Sequence, residues 1–290
     1  MPLVPLKTIL DRADAGGYAV PAFDTVDHAS AEAVVQAAQA LRRPVIVMVP
    51  EAAFPLISAE TFFPFLVRLA EMASVPVALQ LDHGKTLEAV MRAIHGGFSA
   101  VMIDGSSLPL GENIALTQKI AALANAAGVS VEAEIGHVAD GEGRFEGSAV
   151  DESQYTQPLE AKKFAEETGV DALAVAVGTV HGVYKGVPKL DLERLREIKR
   201  YVGLPLVLHG GSGVSDAEFA GAVRGGIRKI NLFTEISLAA LGRGLDCARQ
   251  RENKLHFAEL IVAGKQAVYE IACGYLEKFG GEAHAPEAAR

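Results

Sequence analysis

The chain has 290 residues, 50% of them hydrophobic and 22% charged, with a formal net charge of −9. That is ample apolar material for a large core, and an acidic balance without a dense Lys/Arg cluster argues against nucleic acid as a partner. No apolar run reaches the length of a membrane span, and two distant cysteines without a CxxC pattern read as small apolar side chains in a reducing compartment.

The opening segment, MPLVPLKTILDRADAGG, has no basic stretch leading into an apolar one, so it is not expected to be a secretory signal, and a cytoplasmic location is expected. Strands are predicted at YAVPAF (18–23), PVIVMV (44–49), PVALQLDH (76–83), AVMID (100–104), VSVEAEIG (129–136), ALAVAVG (172–178), PLVLH (205–209) and KINLF (229–233). Several are almost continuously apolar, as strands covered on both faces are. Between them lie amphipathic stretches such as HASAEAVVQAAQALR, ENIALTQKIAALANAAG and DLERLREIKRYVG, often followed by glycine. Eight strands alternating with helices predict a single α/β domain over 1–290, a parallel (β/α)8 TIM barrel. An open doubly wound sheet is the alternative, and no GxGxxG follows the first strand to support it. TEISLAALGRGLDCARQ and FAELIVAGKQAVYEIACGYLEKF read as additional C-terminal helices.

In such barrels chemistry gathers where the C-terminal ends of the strands converge on one mouth. Asp82 and His83 end the third strand, Asp104 the fourth and Glu134 the fifth; His181 follows the sixth and His209 ends the seventh. A lone strand-end histidine is commonly structural, but three of the chain's eight, with carboxylates at the same pole, point to a metal centre. Three neutral imidazoles suit a borderline divalent ion such as zinc and leave a position open for substrate. They also leave the ion its full charge for stabilising a developing enolate. Adjacent strand residues point to opposite faces, so Asp82 and His83 serve one site only if the strand end twists there. His28, His95, His256 and His284 read as solvated or locally satisfied; His137 does too, although it lies near the mouth. HGGSG (209–213) and NLFT (231–234) follow or end the strands whose loops often bind phosphate in these barrels. GGSG alone is more simply a turn, but its place directly behind a candidate ligand favours phosphate. A metal beside a phosphate implies a phosphorylated substrate whose carbonyl or hydroxyl reaches the ion.

LDHG, VEAEIG, VAVGTVHGVY, LVLHGGSG and KINLFTE, in this order and spacing, resemble the class II metal-dependent ketose-bisphosphate aldolases over nearly the whole chain, most closely the tagatose- and fructose-bisphosphate branch. The resemblance implies zinc-dependent, reversible cleavage of a phosphorylated ketose, a 1,6-bisphosphate or a 1-phosphate, to dihydroxyacetone phosphate and an aldehyde through a metal-stabilised enediolate. It implies His83, His181 and His209 as zinc ligands and Asp82 as the acid/base at the C4 oxygen. Glu134 and Asp104 match carboxylates of an alternative metal position, and Glu142, in the loop ADGEGRFEG, matches the glutamate that exchanges the donor's C3 proton. Gly182, Gly210, Gly211, Ser212, Asn231 and Thr234 match the donor-phosphate cradle, with a candidate monovalent cation beside it. A homodimer or homotetramer is also implied, and the final apolar helices would suit its contacts.

The chain departs from the family pattern in ways that bear on the acceptor. It has Gln80–Leu81–Asp82–His83 where HxDH is usual, Pro50 where a serine is common, and Ala139–Asp140 in place of paired glycines. Lys265 is the only basic candidate where some members supply an arginine to the distal phosphate, and Asp24 replaces an asparagine at the acceptor side of the substrate site. Asp24 is expected to repel an anionic acceptor and disfavour the 1,6-bisphosphate, unless it pairs with Lys265 or another cation. Other readings are another metal-dependent phosphosugar enzyme, an isomerase or hydrolase, and a non-catalytic sugar-phosphate sensor. A Schiff-base aldolase is disfavoured because Lys229 opens the eighth strand and is expected at the wrong end of the barrel.

Overall fold

The computed structural model describes residues 2–138, 151–184, 186, 188–252 and 254–280. A helix, α1 (Leu6–Gly16), precedes β1 (Val20–Asp24), and strict alternation follows. The order is α2 (His28–Leu41), β2 (Val45–Pro50), α3 (Ala59–Met72), β3 (Val77–Gly84), α4 (Leu87–His95), β4 (Ala100–Ile103), α5 (Leu110–Ala126) and β5 (Ser130–Ile135). Then come α6 (Pro158–Thr168), β6 (Ala172–Val175), α7 (Leu192–Tyr201), β7 (Leu206–Leu208), α8 (Asp216–Arg224) and β8 (Ile227–Leu232). Two further helices, α9 (Thr234–Gln250) and α10 (Phe257–Phe279), follow the last strand. Each strand pairs in parallel with the next and β8 pairs with β1, so the sheet closes into the expected (β/α)8 barrel.

The near-continuous apolar strands are explained by their two buried faces. Phe23, Val47, Leu79, Leu81, Val101, Val131 and Leu173 pack outward against the ring of helices. Alternate residues point the other way, because the side-chain period of a strand is two. The lower part of the interior is filled by Val20, Ala22, Ile46, Met48, Ala78, Ala100, Ala172, Ala174 and Val207. Leu6, Ile9, Leu10 and Ala13 of α1 belong to the same cluster, so this amphipathic helix closes the barrel floor. The sequence alone does not single out α1, whose apolar spacing is carried by a short segment rich in charged residues.

Above that floor the same inward series turns polar. Gln80, Glu132 and Lys229 form a middle layer, and Asp24, Asp82, Glu134 and Asn231 lie above it at the mouth, all buried. The βα loops that carry the chain away from the mouth are fixed by capping side chains. Asp27, Thr86, Asp191 and Ser215 accept backbone N–H groups at the starts of α2, α4, α7 and α8. Strand ends differ slightly from expectation. β4 and β7 stop one residue early, so Asp104 and His209 sit just past them, and β6 stops at Val175.

Candidate metal centre and active site

Two adjacent residues of β3 reach the mouth because the strand is irregular there. Leu81 pairs with Val101 and Gly84 with Ile103, so β3 spends one more residue than β4 over this step. His83 takes up the difference in a left-handed conformation, φ 44°. This is the twist that a shared site for Asp82 and His83 requires.

The three histidines converge. Ring centroids lie 4.7 Å apart for His83 and His209, 4.9 Å for His83 and His181, and 5.9 Å for His181 and His209. His83 Nε2 and His209 Nδ1 face each other at 2.9 Å. The outer nitrogen of each of these two rings is held by a carboxylate: His83 Nδ1 by Asp104 Oδ2 and His209 Nε2 by Glu132 Oε1, both at 2.9 Å. That arrangement holds each ring from outside and turns its inner nitrogen toward one shared point. Two ligand sets share His83, one with His181 and His209 and one with Asp104 and Glu134; within each set the ligand atoms lie within 4.8 Å of one another. The first set, three imidazole nitrogen donors of which two are backed by carboxylates, fits a borderline divalent ion.

Electrostatics separate the rings. Burial opposes a charge on His83, but the carboxylates of Asp82, Asp104 and Glu134 outweigh it and push its pKa up to about 10. Burial drives His209 the other way, down to about 4. Burial also works against the Asp104 charge, yet hydrogen bonds from His83 and Ser106 hold its carboxyl far below the usual range.

Asp82 is buried at 2% exposure, and Asn231 Nδ2 donates to its Oδ1 at 3.0 Å. Glu134 Oε1 accepts from the Val138 N–H at 3.0 Å, and its Oε2 lies 3.8 Å from His209 Nδ1. Around the seventh and eighth strand ends, Gly210 has φ 65° and an added Cβ there would meet the Val180 carbonyl oxygen at 2.4 Å. At Gly211 a Cβ would meet Ile230 Cγ2 at 2.7 Å. Only glycine lets the backbone pass this closely. Ser212 Oγ accepts from the Glu235 N–H at 3.3 Å, in the first turn of α9, which begins at Thr234. Gly182, φ 92°, lies beside His181. Tyr184, which the sequence alone does not single out, ties these loops together: its hydroxyl donates to the Gly210 carbonyl at 2.7 Å and accepts from the Val180 N–H at 3.3 Å. Glu142 lies outside the described residues.

Three expectations change. Asp24 stands beside a second carboxyl and not a cation: burial, then the neighbouring Asp82 charge, raise its pKa well above the usual range, which weakens the expected repulsion of an anionic acceptor. Lys265 does not pair with Asp24; it forms an ion pair with Glu32, joining α10 to α2. Lys229 is not at the wrong end of the barrel. It is fully buried in the middle layer, its Nζ held by both Glu132 oxygens at 2.9 and 3.1 Å. Burial opposes the charge of Glu132, but Lys229 and His209 overcome it and hold its pKa down at about 2. Gln80 Nε2 also donates to Glu132, at 2.9 Å. Sequence reasoning misses this layer beneath the histidines, although Gln80, Glu132 and Lys229 each lie two residues before a mouth residue, Asp82, Glu134 and Asn231, and so share its face. Of the remaining histidines, His28 packs on Phe65 and Phe62, and His256 caps α10.

Fold and site together define a TIM barrel with a candidate metal centre at its mouth. The family described as "Fructose-bisphosphate aldolase class-II" matches residues 4–284. A Bacillus subtilis protein named "Probable fructose-bisphosphate aldolase" is 37% identical over 284 residues, covering 97% of this chain and 98% of its own. A Staphylococcus aureus protein named "Fructose-bisphosphate aldolase" is 37% identical over 286 residues, with the same coverage of 97% and 98%. Among solved structures, the YdjI aldolase from Escherichia coli K12 superposes with a TM-score of 0.86 at 32% identity, covering 98% of this chain and 99% of that one. The chain belongs to the class II fructose-bisphosphate aldolase family, and it is an aldehyde-lyase of the metal-dependent class. No helix among the described residues is long and apolar enough to cross a membrane.

Proposed function

We propose that the centre holds one zinc ion on His83, His181 and His209, and that the enzyme reversibly cleaves a ketose 1,6-bisphosphate or ketose 1-phosphate to dihydroxyacetone phosphate and an aldehyde. The observation that most supports this is the pair of inward-facing imidazole nitrogens, each backed by a carboxylate on its outer side. A divalent ion bound there supplies Lewis acidity to the oxygens of the substrate. Asp82 takes the proton of the C4 hydroxyl during cleavage and returns it in the reverse direction; its burial and the Asn231 hydrogen bond hold it in one orientation. Glu142 exchanges the C3 proton, a role carried by the sequence resemblance alone. Gly182, Gly210, Gly211, Ser212, Asn231 and Thr234 cradle the donor phosphate, with backbone N–H groups as donors and a monovalent cation beside them. Glu134 and Asp104 serve the second ligand set that shares His83. Asp24 stands at the acceptor side as a hydrogen-bonding group whose charge is disfavoured by burial.

The enzyme works in the cytoplasm as a homo-oligomer. Leu241, Leu245, Phe257, Ile261 and Val262 leave 55%, 46%, 74%, 42% and 65% of their surface exposed on α9 and α10, and this apolar strip supports assembly through those helices.

Stripping the protein with a chelator is expected to abolish cleavage, and zinc is expected to restore it. Asp82→Ala is expected to lose about 10²–10⁴-fold in turnover, the usual worth of a positioned acid/base, while its zinc content stays at the wild-type level. Undiminished turnover of metal-free protein overturns the metal centre. A collapse of zinc content in Asp82→Ala reassigns that carboxylate as a ligand.

A further inference from the structure

The exits of β4 and β5 are joined by a hydrogen-bond chain that the reaction described above does not use. Asp104 Oδ1 accepts twice from Ser106, from its backbone N–H at 3.0 Å and from its hydroxyl at 2.7 Å. A serine hydroxyl has one proton, and here it is spent on the carboxylate. The contact of Ser106 Oγ with His137 Nδ1 at 3.0 Å therefore requires the imidazole to be the donor. The chain runs in one sense: His137 Nδ1–H to Ser106, Ser106 O–H to Asp104 Oδ1, and His83 Nδ1–H to Asp104 Oδ2 at 2.9 Å.

Asp104 has two roles open to it. It can back His83 from outside, or it can offer an oxygen directly, in the ligand set of His83, Asp104 and Glu134. Ser106 saturates Oδ1, and His137 fixes the Ser106 hydroxyl by giving its lone pair a donor. The carboxylate plane is then set, with Oδ2 committed to His83.

We propose that His137 is a positioning residue of the metal centre: through Ser106 it holds Asp104 as the partner of His83 and so favours the three-imidazole set over the carboxylate-bearing one. This rests on the metal centre proposed above and adds to it a residue that touches neither ion nor substrate.

The test uses cobalt(II) added to the full-length, metal-stripped protein, with affinity read by chelator competition and coordination by visible absorption. Wild type, His137→Ala and His137→Asn are compared; the asparagine Nδ2–H stands in for the imidazole Nδ1–H. His137→Ala is expected to bind cobalt about tenfold to a hundredfold more weakly, the usual cost of losing an outer partner. Its visible bands are expected to change as carboxylate oxygen replaces imidazole nitrogen, and His137→Asn is expected to restore both affinity and spectrum. Wild-type affinity and spectrum in His137→Ala overturn the proposal. Equal impairment of both variants also overturns it, because the packing of the ring and not its N–H would then matter. A wild-type protein that takes up no cobalt overturns the metal centre itself, whereas wild-type behaviour of His137→Ala in a cobalt-binding protein overturns only the positioning role.

Discussion

Asp24 and Asp82 meet at the mouth of the barrel, and two buried carboxyls so placed do not both ionise readily. The raised pKa of Asp24 disfavours its charge, which brings it closer to the neutral asparagine usual at this position. Asp24→Asn is therefore expected to leave kcat/KM for a ketose 1,6-bisphosphate within about threefold of wild type. A large gain for the asparagine variant, measured in initial-rate assays, would restore the idea of a repelling charge. His83 shows the opposite effect of company on a titration. Its pKa of about 10 means that the metal-free ring holds a second proton at neutral pH, whereas a ligand imidazole must give it up. Metal uptake then competes with that proton. Apparent affinity is expected to rise about tenfold for each pH unit while the ring remains protonated. At pH 7 one proton should be released per ion from this ring, and none from His209, whose pKa of about 4 leaves it neutral. Titration calorimetry in buffers of different ionisation enthalpy measures the released proton directly; a pH-independent affinity would contradict the His83 assignment.

The irregular end of β3 is the element on which the site depends. Gly84 closes the bulge, and a Cβ there would lie 2.6 Å from the Met102 carbonyl oxygen and 2.8 Å from Leu81 Cδ2. Gly84→Ala is expected to cost about 2 kcal/mol in urea unfolding, as overpacking in a tight core does, and to weaken metal binding by displacing His83. Gly111 is the control: it lies in the first turn of α5, where an added methyl would have nothing within 4 Å. Gly111→Ala is expected to be neutral or to stabilise by up to about 1 kcal/mol. Equal losses in the two variants would show that the bulge is not special. The need for this distortion can be read from the adjacency of Asp82 and His83, because a regular strand sends neighbours to opposite faces. Its form, one residue inserted with His83 in the left-handed region, cannot, because nothing in LDHG fixes which residue absorbs the extra length. The ends of β4, β6 and β7 escape sequence reading for a related reason: Asp104, Val177 and His209 continue the apolar or functional run after pairing has stopped.

At the scale of the whole molecule, the eight-fold alternation is plain in the sequence because each buried strand is a short apolar block and each helix shows a one-sided stripe. The mouth is legible because histidines and carboxylates are rare among such blocks. The middle layer is not. Gln80, Glu132 and Lys229 come from β3, β5 and β8, strands that are not neighbours in the barrel, so their meeting depends on closure and no local pattern reports it. The raised pKa of Asp24 is hidden for the same reason, because burial inside the closed barrel, and then Asp82 across the interior, set it. Closure has a further consequence, for synthesis. β1 leaves the ribosome early, but its second hydrogen-bonding partner, β8, is among the last strands made. Until then the nascent sheet exposes the edge of β1, the kind of unpaired edge that recruits other chains. His209 and Asn231 arrive in the same late stretch, so the proposed three-imidazole set cannot assemble around a half-made barrel. With that proposed set, metal loading is expected to wait for the final ring-closing step and to reward only chains that have completed it.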